Sequence, residues 1–281
     1  MVRFPIGVVL DSFRKPTQES LDIAASLAVQ GIQVYATQGE MSPETLTSDK
    51  RRALLRMVKD RGLVISALCG DLGHGFGDPE KNPGLIERSK RILDLAKDLE
   101  TDVVTTHIGV VPTDPAHPRY AIMQDACGDL AAYADSLRAH FAIETGPETA
   151  TVLKAFLDTL HSTGVAVNLD PANFVMVTGD DPVQAVHILK NYIVHTHAKD
   201  GIKLTNRNPE QIYGIAGSDT PVTDTAFREV PLGDGGVPFD TYLAALDSIG
   251  YAGFLTIERE VGDDPVSDIA HAVKFLRGML R

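Results

Sequence analysis

The chain has 281 residues, 43% of them hydrophobic and 23% charged, the composition of an ordinary globular protein with a large core. Its 26 basic and 38 acidic residues leave a net charge of −12, which repels phosphate backbones and disfavours a nucleic-acid partner. Cys69 and Cys127 form no disulfide framework, and the opening apolar run is too short for a signal peptide or a membrane span, so a cytoplasmic location without a membrane partner is expected.

Extended apolar runs alternate with amphipathic stretches along the sequence. PIGVVL at 5–10 predicts a strand, followed by a helix over 17–30. GIQVY at 31–35 precedes a helix from Pro43 to about Arg61, with the proline in its first turn. LVISAL at 63–68 leads to a helix near 83–99, and DVVTTH at 102–107 to one near 115–139. HFAIE at 140–144 is followed by a helix over 147–163, and VAVNLD at 165–170 by one over 181–191. YIVHTH at 192–197 opens onto a long excursion, residues 201–235, before a helix at 238–249. FLTIE at 254–258 precedes the last helix, 265–280.

These are eight strand–helix units of roughly 35 residues, and right-handed units of that number close most naturally into a (β/α)8 TIM barrel. The strands are continuous apolar runs, as a parallel sheet covered on both faces requires. A doubly wound open sheet is the rival, weakened because no Gly-rich dinucleotide fingerprint follows the first strand. One domain spanning 1–281 is expected, with 201–235 inserted after the seventh strand.

The residues that follow the strands carry the chemistry, because a barrel places them around one rim. They are Asp11, Tyr35 and Thr37, Cys69 with Asp71 and His74, His107, Glu144, Asp170, His197 and Glu258. Asp11 and Asp71 read equally well as helix N-caps. Glu144 and Glu258 do not, since glutamate caps poorly and each follows an isoleucine directly. Three carboxylates and an imidazole suit a hard or borderline divalent cation. His195 and His197 lie two apart and face the same side of a strand, so either can be a ligand or a core histidine.

The segments IETG, LDPAN, VHTHAKD, PLGDGG and TIERE, in this order, resemble the xylose-isomerase-like superfamily of sugar isomerases and epimerases. The resemblance implies one divalent metal, manganese favoured over cobalt or magnesium, held by Glu144, Asp170, His197 and Glu258. It also implies that Glu144 and Glu258 are the proton-transfer pair. The metal would stabilise an enediolate, one glutamate removing a proton from one face and the other returning one. Return to the same carbon gives epimerisation, and return to its neighbour gives aldose–ketose isomerisation. A lyase or dehydratase acting on a keto-sugar or keto-inositol needs the same site. The family's ketose epimerases have a histidine where this chain has Asn173 and an arginine where it has Lys203. Both residues, with Tyr35, His107 and His195, are the candidate substrate contacts.

The 201–235 excursion would hang over the catalytic mouth as a lid or substrate wall, with Tyr213, Phe227 and Arg228 as contacts. Alternatively it packs on a second subunit, and homo-oligomers are common. The Gly233–Gly236 cluster reads as a turn. Glu260, Asp263 and Asp264 place acid where barrels often hold a phosphate, which predicts an unphosphorylated sugar or polyol. The superfamily's nucleases at abasic DNA sites are disfavoured by Asn173 and by the chain's acidity. A non-catalytic sugar-binding barrel is the remaining alternative.

Overall fold

A computed structural model describes residues 4–213 and 225–280. The barrel strands are β1 (Ile6–Val9), β2 (Gly31–Tyr35), β3 (Val64–Cys69), β4 (Val103–Thr106), β5 (His140–Glu144), β6 (Val165–Leu169) and β7 (Ile193–Ala198). Two further strands, β8 (Asp200–Lys203) and β9 (Phe227–Val230), pair with each other, and β10 (Leu255–Ile257) completes the barrel. The closed order is β1-β10-β7-β6-β5-β4-β3-β2, with every barrel pair parallel. The (β/α)8 TIM barrel read from the sequence is therefore the fold.

Around it lie α1 (Thr17–Ser26), α2 (Ser48–Lys59), α3 (Asn82–Asp98), α4 (Pro118–Ser136) and α5 (Ala150–Asp158). A short turn, α6 (Pro171–Asn173), precedes α7 (Pro182–Leu189), and a second, α8 (Pro209–Ile212), precedes α9 (Phe239–Ser248) and α10 (Pro265–Met279). Side chains cap several of them: Thr149, Asp181 and Asp264 accept from the backbone N–H groups of Val152, Val183 and Ser267. Leucines and aromatics such as Leu21, Leu93, Leu130, Phe156 and Leu246 are fully buried in the main apolar core.

Two expectations about local structure are corrected. Pro43 does not open the second helix, which begins at Ser48. The Ser42 carbonyl instead accepts from the N–H groups of Thr45 and Leu46, closing a separate turn ahead of α2. The excursion after the seventh strand, in which no strand was expected, also carries two short ones. Asp200–Lys203 and Phe227–Val230 form an antiparallel ladder, while its 214–224 segment lies outside the described residues.

Asp200 anchors the return from that ladder. Its carboxylate accepts N–H bonds from Gly233 and Gly235 at 3.0 Å and from Val237 at 3.1 Å, folding the Gly233–Gly236 turn around a buried acid. A Cβ at Gly235 would lie 2.1 Å from Asp200 Oδ1, so this close approach requires glycine.

Candidate metal centre

Side chains two residues apart on a strand face the same way, so each barrel strand contributes to stacked layers inside the barrel. The upper layer sits at the carboxyl ends: Tyr35, His107, Glu144, Asp170, His197 and Glu258. Two positions earlier on five of those strands lie Gln33, Thr105, Asn168, His195 and Thr256, all buried.

Glu144, Asp170, His197 and Glu258 each offer a ligand atom, and these atoms all lie within 4.8 Å of one another. All four residues are buried, Asp170 completely. His197 Nδ1 is 3.4 Å from Glu144 Oε1, 3.5 Å from Asp170 Oδ2 and 3.4 Å from Glu258 Oε2. Asp170 Oδ1 accepts from the N–H groups of Ala172 at 2.8 Å and Asn173 at 3.1 Å, which fixes the carboxylate. Its buried Oδ2 has no hydrogen-bond partner among the described residues. A buried carboxylate oxygen left bare is costly unless something positive meets it. The donor set therefore fits a divalent cation.

Burial alone would depress the His197 pKa, but Glu258 and Glu144 outweigh it and hold the ring well above the ordinary imidazole range. Burial likewise works against an ionised Glu258, yet Lys199 and His197 keep its pKa well below the usual carboxylate range. Lys199 is buried, and its Nζ donates to Glu258 Oε2 at 3.0 Å and also to Glu260.

The lower layer holds the upper one. His197 Nε2 donates to Gln33 Oε1 at 3.1 Å, and Gln33 Nε2 donates to Thr105 Oγ1 at 3.0 Å. Asn168 Nδ2 donates to Glu144 Oε2 at 3.3 Å, while its Oδ1 accepts from His195 Nδ1 at 2.9 Å. Thr256 Oγ1 lies 2.9 Å from His195 Nε2 and donates to it. Burial, reinforced by His197, drives the His195 pKa well below the ordinary value, so this ring is neutral.

The other sequence candidates fall in different places. Asn173 touches the cluster, its Nδ2 donating to Glu144 Oε1 at 3.3 Å and to the Thr145 carbonyl at 3.1 Å. His107 Nε2 is 3.8 Å from Glu144 Oε1, and its Nδ1 is 3.3 Å from Asp71 Oδ2. Burial opposes a charge on His107, but Glu144 and Asp71 outweigh it and raise the pKa to about 9. Tyr35 borders a recess of about 240 Å³ with Asp11, Glu258 and Glu260. His195 has both nitrogens engaged beneath the cluster, and Lys203 Nζ donates to the Val177 carbonyl at 2.9 Å. Tyr213 reaches the mouth: a Cβ at Gly146 would lie 3.3 Å from its hydroxyl and 2.6 Å from Asn173 Cβ. Neither Asp11 nor Asp71 caps a helix; Asp11 accepts from the Tyr35 N–H, and Asp71 from that of Gly73.

Sequence reasoning missed Gln33, Thr105, Asn168 and Thr256. Their signal was present, since each is a polar residue inside an apolar run, two positions before a mouth residue. It also passed over Glu148, a buried carboxyl whose Oε1 has no partner among the described residues and whose pKa burial lifts to about 8.

The sequence profile of xylose isomerase-like TIM barrels matches residues 21–279. The chain belongs to that family. Among solved structures, a xylose isomerase domain protein from Planctomyces limnophilus is similar, with 27% identity and a TM-score of 0.80 over 98% of this chain and 96% of that one. The probable 3-DHS dehydratase of Bacillus anthracis shares 19% identity and a TM-score of 0.73 over 98% and 99%. A D-psicose 3-epimerase shares 17% and 0.73 over 99% of each chain. No curated protein matches at a significant level. Membership in the xylose isomerase-like family agrees with a buried Glu/Asp/His cluster able to hold a metal ion. No helix among the described residues is long and apolar enough to cross a membrane.

Proposed function

We propose that this xylose isomerase-like barrel is a divalent-metal-dependent sugar isomerase or epimerase acting on an unphosphorylated ketose or keto-polyol. Glu144, Asp170, His197 and Glu258 would hold the cation, with manganese favoured. Bound there, the cation would supply Lewis acidity to a substrate carbonyl and so acidify the neighbouring C–H.

One observation carries the reading. Glu144 at the end of β5 and Glu258 just after β10 approach the same imidazole nitrogen, each at 3.4 Å, while Asp170 Oδ2 beside them lacks a hydrogen bond. Two fixed carboxylates at one centre can take a proton from a carbon and return one to it. Their supports differ. Glu144 is held by the amides of Asn168 and Asn173, and Glu258 by the Lys199 ammonium. The ammonium contact keeps Glu258 ionised, as a proton acceptor must be. His107, Tyr35 and Asn173 would line the substrate's hydroxyls.

Elimination is the second reading, favoured by His107. Its Nε2 faces Glu144 while Asp71 holds the other nitrogen, which places a third proton carrier beside the glutamates. Such a group could protonate a departing hydroxyl.

The test is solvent exchange in deuterium oxide over a panel of ketoses and keto-polyols with manganese, cobalt or magnesium, followed by product analysis. Deuterium in a recovered sugar supports isomerase or epimerase chemistry, and loss of water supports the lyase. Glu258→Gln should abolish exchange with the fold retained. Undiminished exchange in that variant would remove Glu258 from the proton-transfer pair.

A further inference from the structure

A second pocket, of about 380 Å³, opens on the same face of the barrel between the segments that follow β3 and β4. That volume falls within the ~300–1,000 Å³ of small-molecule sites. Tyr213 and His107 stand between it and the metal centre. Tyr213 lines the pocket, its hydroxyl reaches towards Asn173, and its ring centroid lies 6.0 Å from that of His107. His107 runs directly into Ile108 and Gly109, which form part of the wall.

The pocket is built from pinned backbone. The Phe76 N–H donates to the Ile108 carbonyl at 2.9 Å, tying the two loops together. A Cβ at Gly75 would come within 2.6 Å of Gly109 Cα, and one at Gly77 within 2.7 Å of Arg119 Cδ. The loops are therefore in backbone contact, and side chains at these positions would force them apart.

The rim is polar but charge-matched. Lys81 pairs with Asp78 at 3.6 Å, and Arg119 pairs with Glu210. Such a rim gives an anion no net attraction, yet it offers donors and acceptors to hydroxyl groups. Arg119 lines the pocket, and among the described residues only one of its terminal nitrogens is engaged, with Glu210, so guanidinium N–H groups remain for a ligand. Tyr213 adds an aromatic surface of the kind that a sugar ring covers with its C–H face.

We infer that this pocket is a second sugar subsite, so that the substrate is a keto-sugar carrying a further hexose-sized, uncharged polyhydroxylated group. The inference rests on the proposed sugar chemistry and narrows its substrate class.

The experiment is calorimetric titration of the protein in the presence of manganese with fructose and with turanose, maltulose, leucrose and palatinose. In these four a glucose is joined to a different hydroxyl of fructose. Exchange of each with deuterium oxide is measured in parallel. At least one glucosyl-fructose should bind about tenfold tighter than fructose, the affinity of one or two net hydrogen bonds. That advantage should shrink in Lys81→Ala and in Arg119→Lys, which keeps the charge facing Glu210 but loses the remaining guanidinium N–H donors. If fructose binds and exchanges while no glucosyl-fructose binds more tightly, the subsite is overturned and the proposed chemistry stands. If a glucosyl-fructose binds with the expected loss in both variants but nothing exchanges, the subsite stands and the chemistry falls. Absence of all binding and exchange overturns both.

Discussion

Gln33 on β2 and His197 on β7 meet inside the barrel, the histidine Nε2 donating to the glutamine Oε1 at 3.1 Å. Because that oxygen can only accept, the contact keeps a proton on Nε2 and turns Nδ1 towards Glu144, Asp170 and Glu258. Partners of this kind orient a metal-binding histidine, and their loss typically costs about 10–100-fold in metal affinity. Gln33→Met keeps the volume and removes the acceptor. Its manganese affinity, measured by titration calorimetry, should fall by that amount with circular dichroism unchanged. An unchanged affinity would show that the ring needs no such support.

Asp170→Asn separates the two jobs of that side chain. The amide oxygen can keep the bonds from Ala172 and Asn173, while the bare Oδ2 becomes an NH2 that cannot bind a cation. Manganese should raise the melting temperature of the natural protein by mass action, and a chelator should reverse the rise. In Asp170→Asn the rise should vanish, with the metal-free melting temperature equal to or above that of the natural chain, because one carboxylate has left a crowded buried cluster. A variant that is destabilised without metal would mean that Oδ2 serves the fold.

The barrel and its carboxylate-bearing mouth were legible because both follow from local pattern. A continuous apolar run that stops at a charged residue marks a strand end, and a closed barrel gathers strand ends. The layer beneath was harder to read. Gln33 acts on His197 from 164 residues away, and nothing in GIQVY or YIVHTH pairs them until the barrel closes. His195 and His197 look equivalent in sequence, yet Asn168 and Thr256 occupy the first while carboxylates surround the second. The β8–β9 ladder was missed because DGIK and FREV are short and lack the two-residue alternation of a half-buried strand. Lys203 engages Val177 and Lys199 engages Glu258, a choice set by backbone paths after β7 and by nothing in the residue types.

Lys199 should matter for stability before it matters for chemistry. Its ammonium is buried between Glu258 and Glu260, and Asp170 and Glu229 add to the field that, against the cost of burial, holds its pKa well above the ordinary lysine range. Lys199→Met leaves Glu258 buried without its cation, and breaking a buried pair in this way costs about 3–5 kcal/mol. Urea unfolding without metal should show that loss. Saturating manganese should restore part of it, since a bound cation replaces the missing charge. A loss below about 1 kcal/mol would place the pair with weak surface bridges instead.

Glu148 gives the stability a pH dependence opposite to that of a paired carboxylate. Burial raises its pKa from 4.5 to about 8, against the lowering effects of the Val111 N–H and His107. The folded chain therefore keeps a proton that the unfolded chain has already lost between about pH 4.5 and pH 8. Across that window the unfolded state binds fewer protons, so raising the pH favours unfolding, at roughly 1.4 kcal/mol per pH unit at most. Above pH 8 the folded acid ionises as well and the slope ends. Glu148→Gln keeps an acceptor for the Val111 N–H and cannot ionise, so it removes this contribution and leaves the other titrations in place. The melting temperature of the variant relative to the natural chain should rise steadily from pH 5 to pH 8 and then level. A difference that stays flat over that range would mean that Glu148 is already ionised in the folded protein.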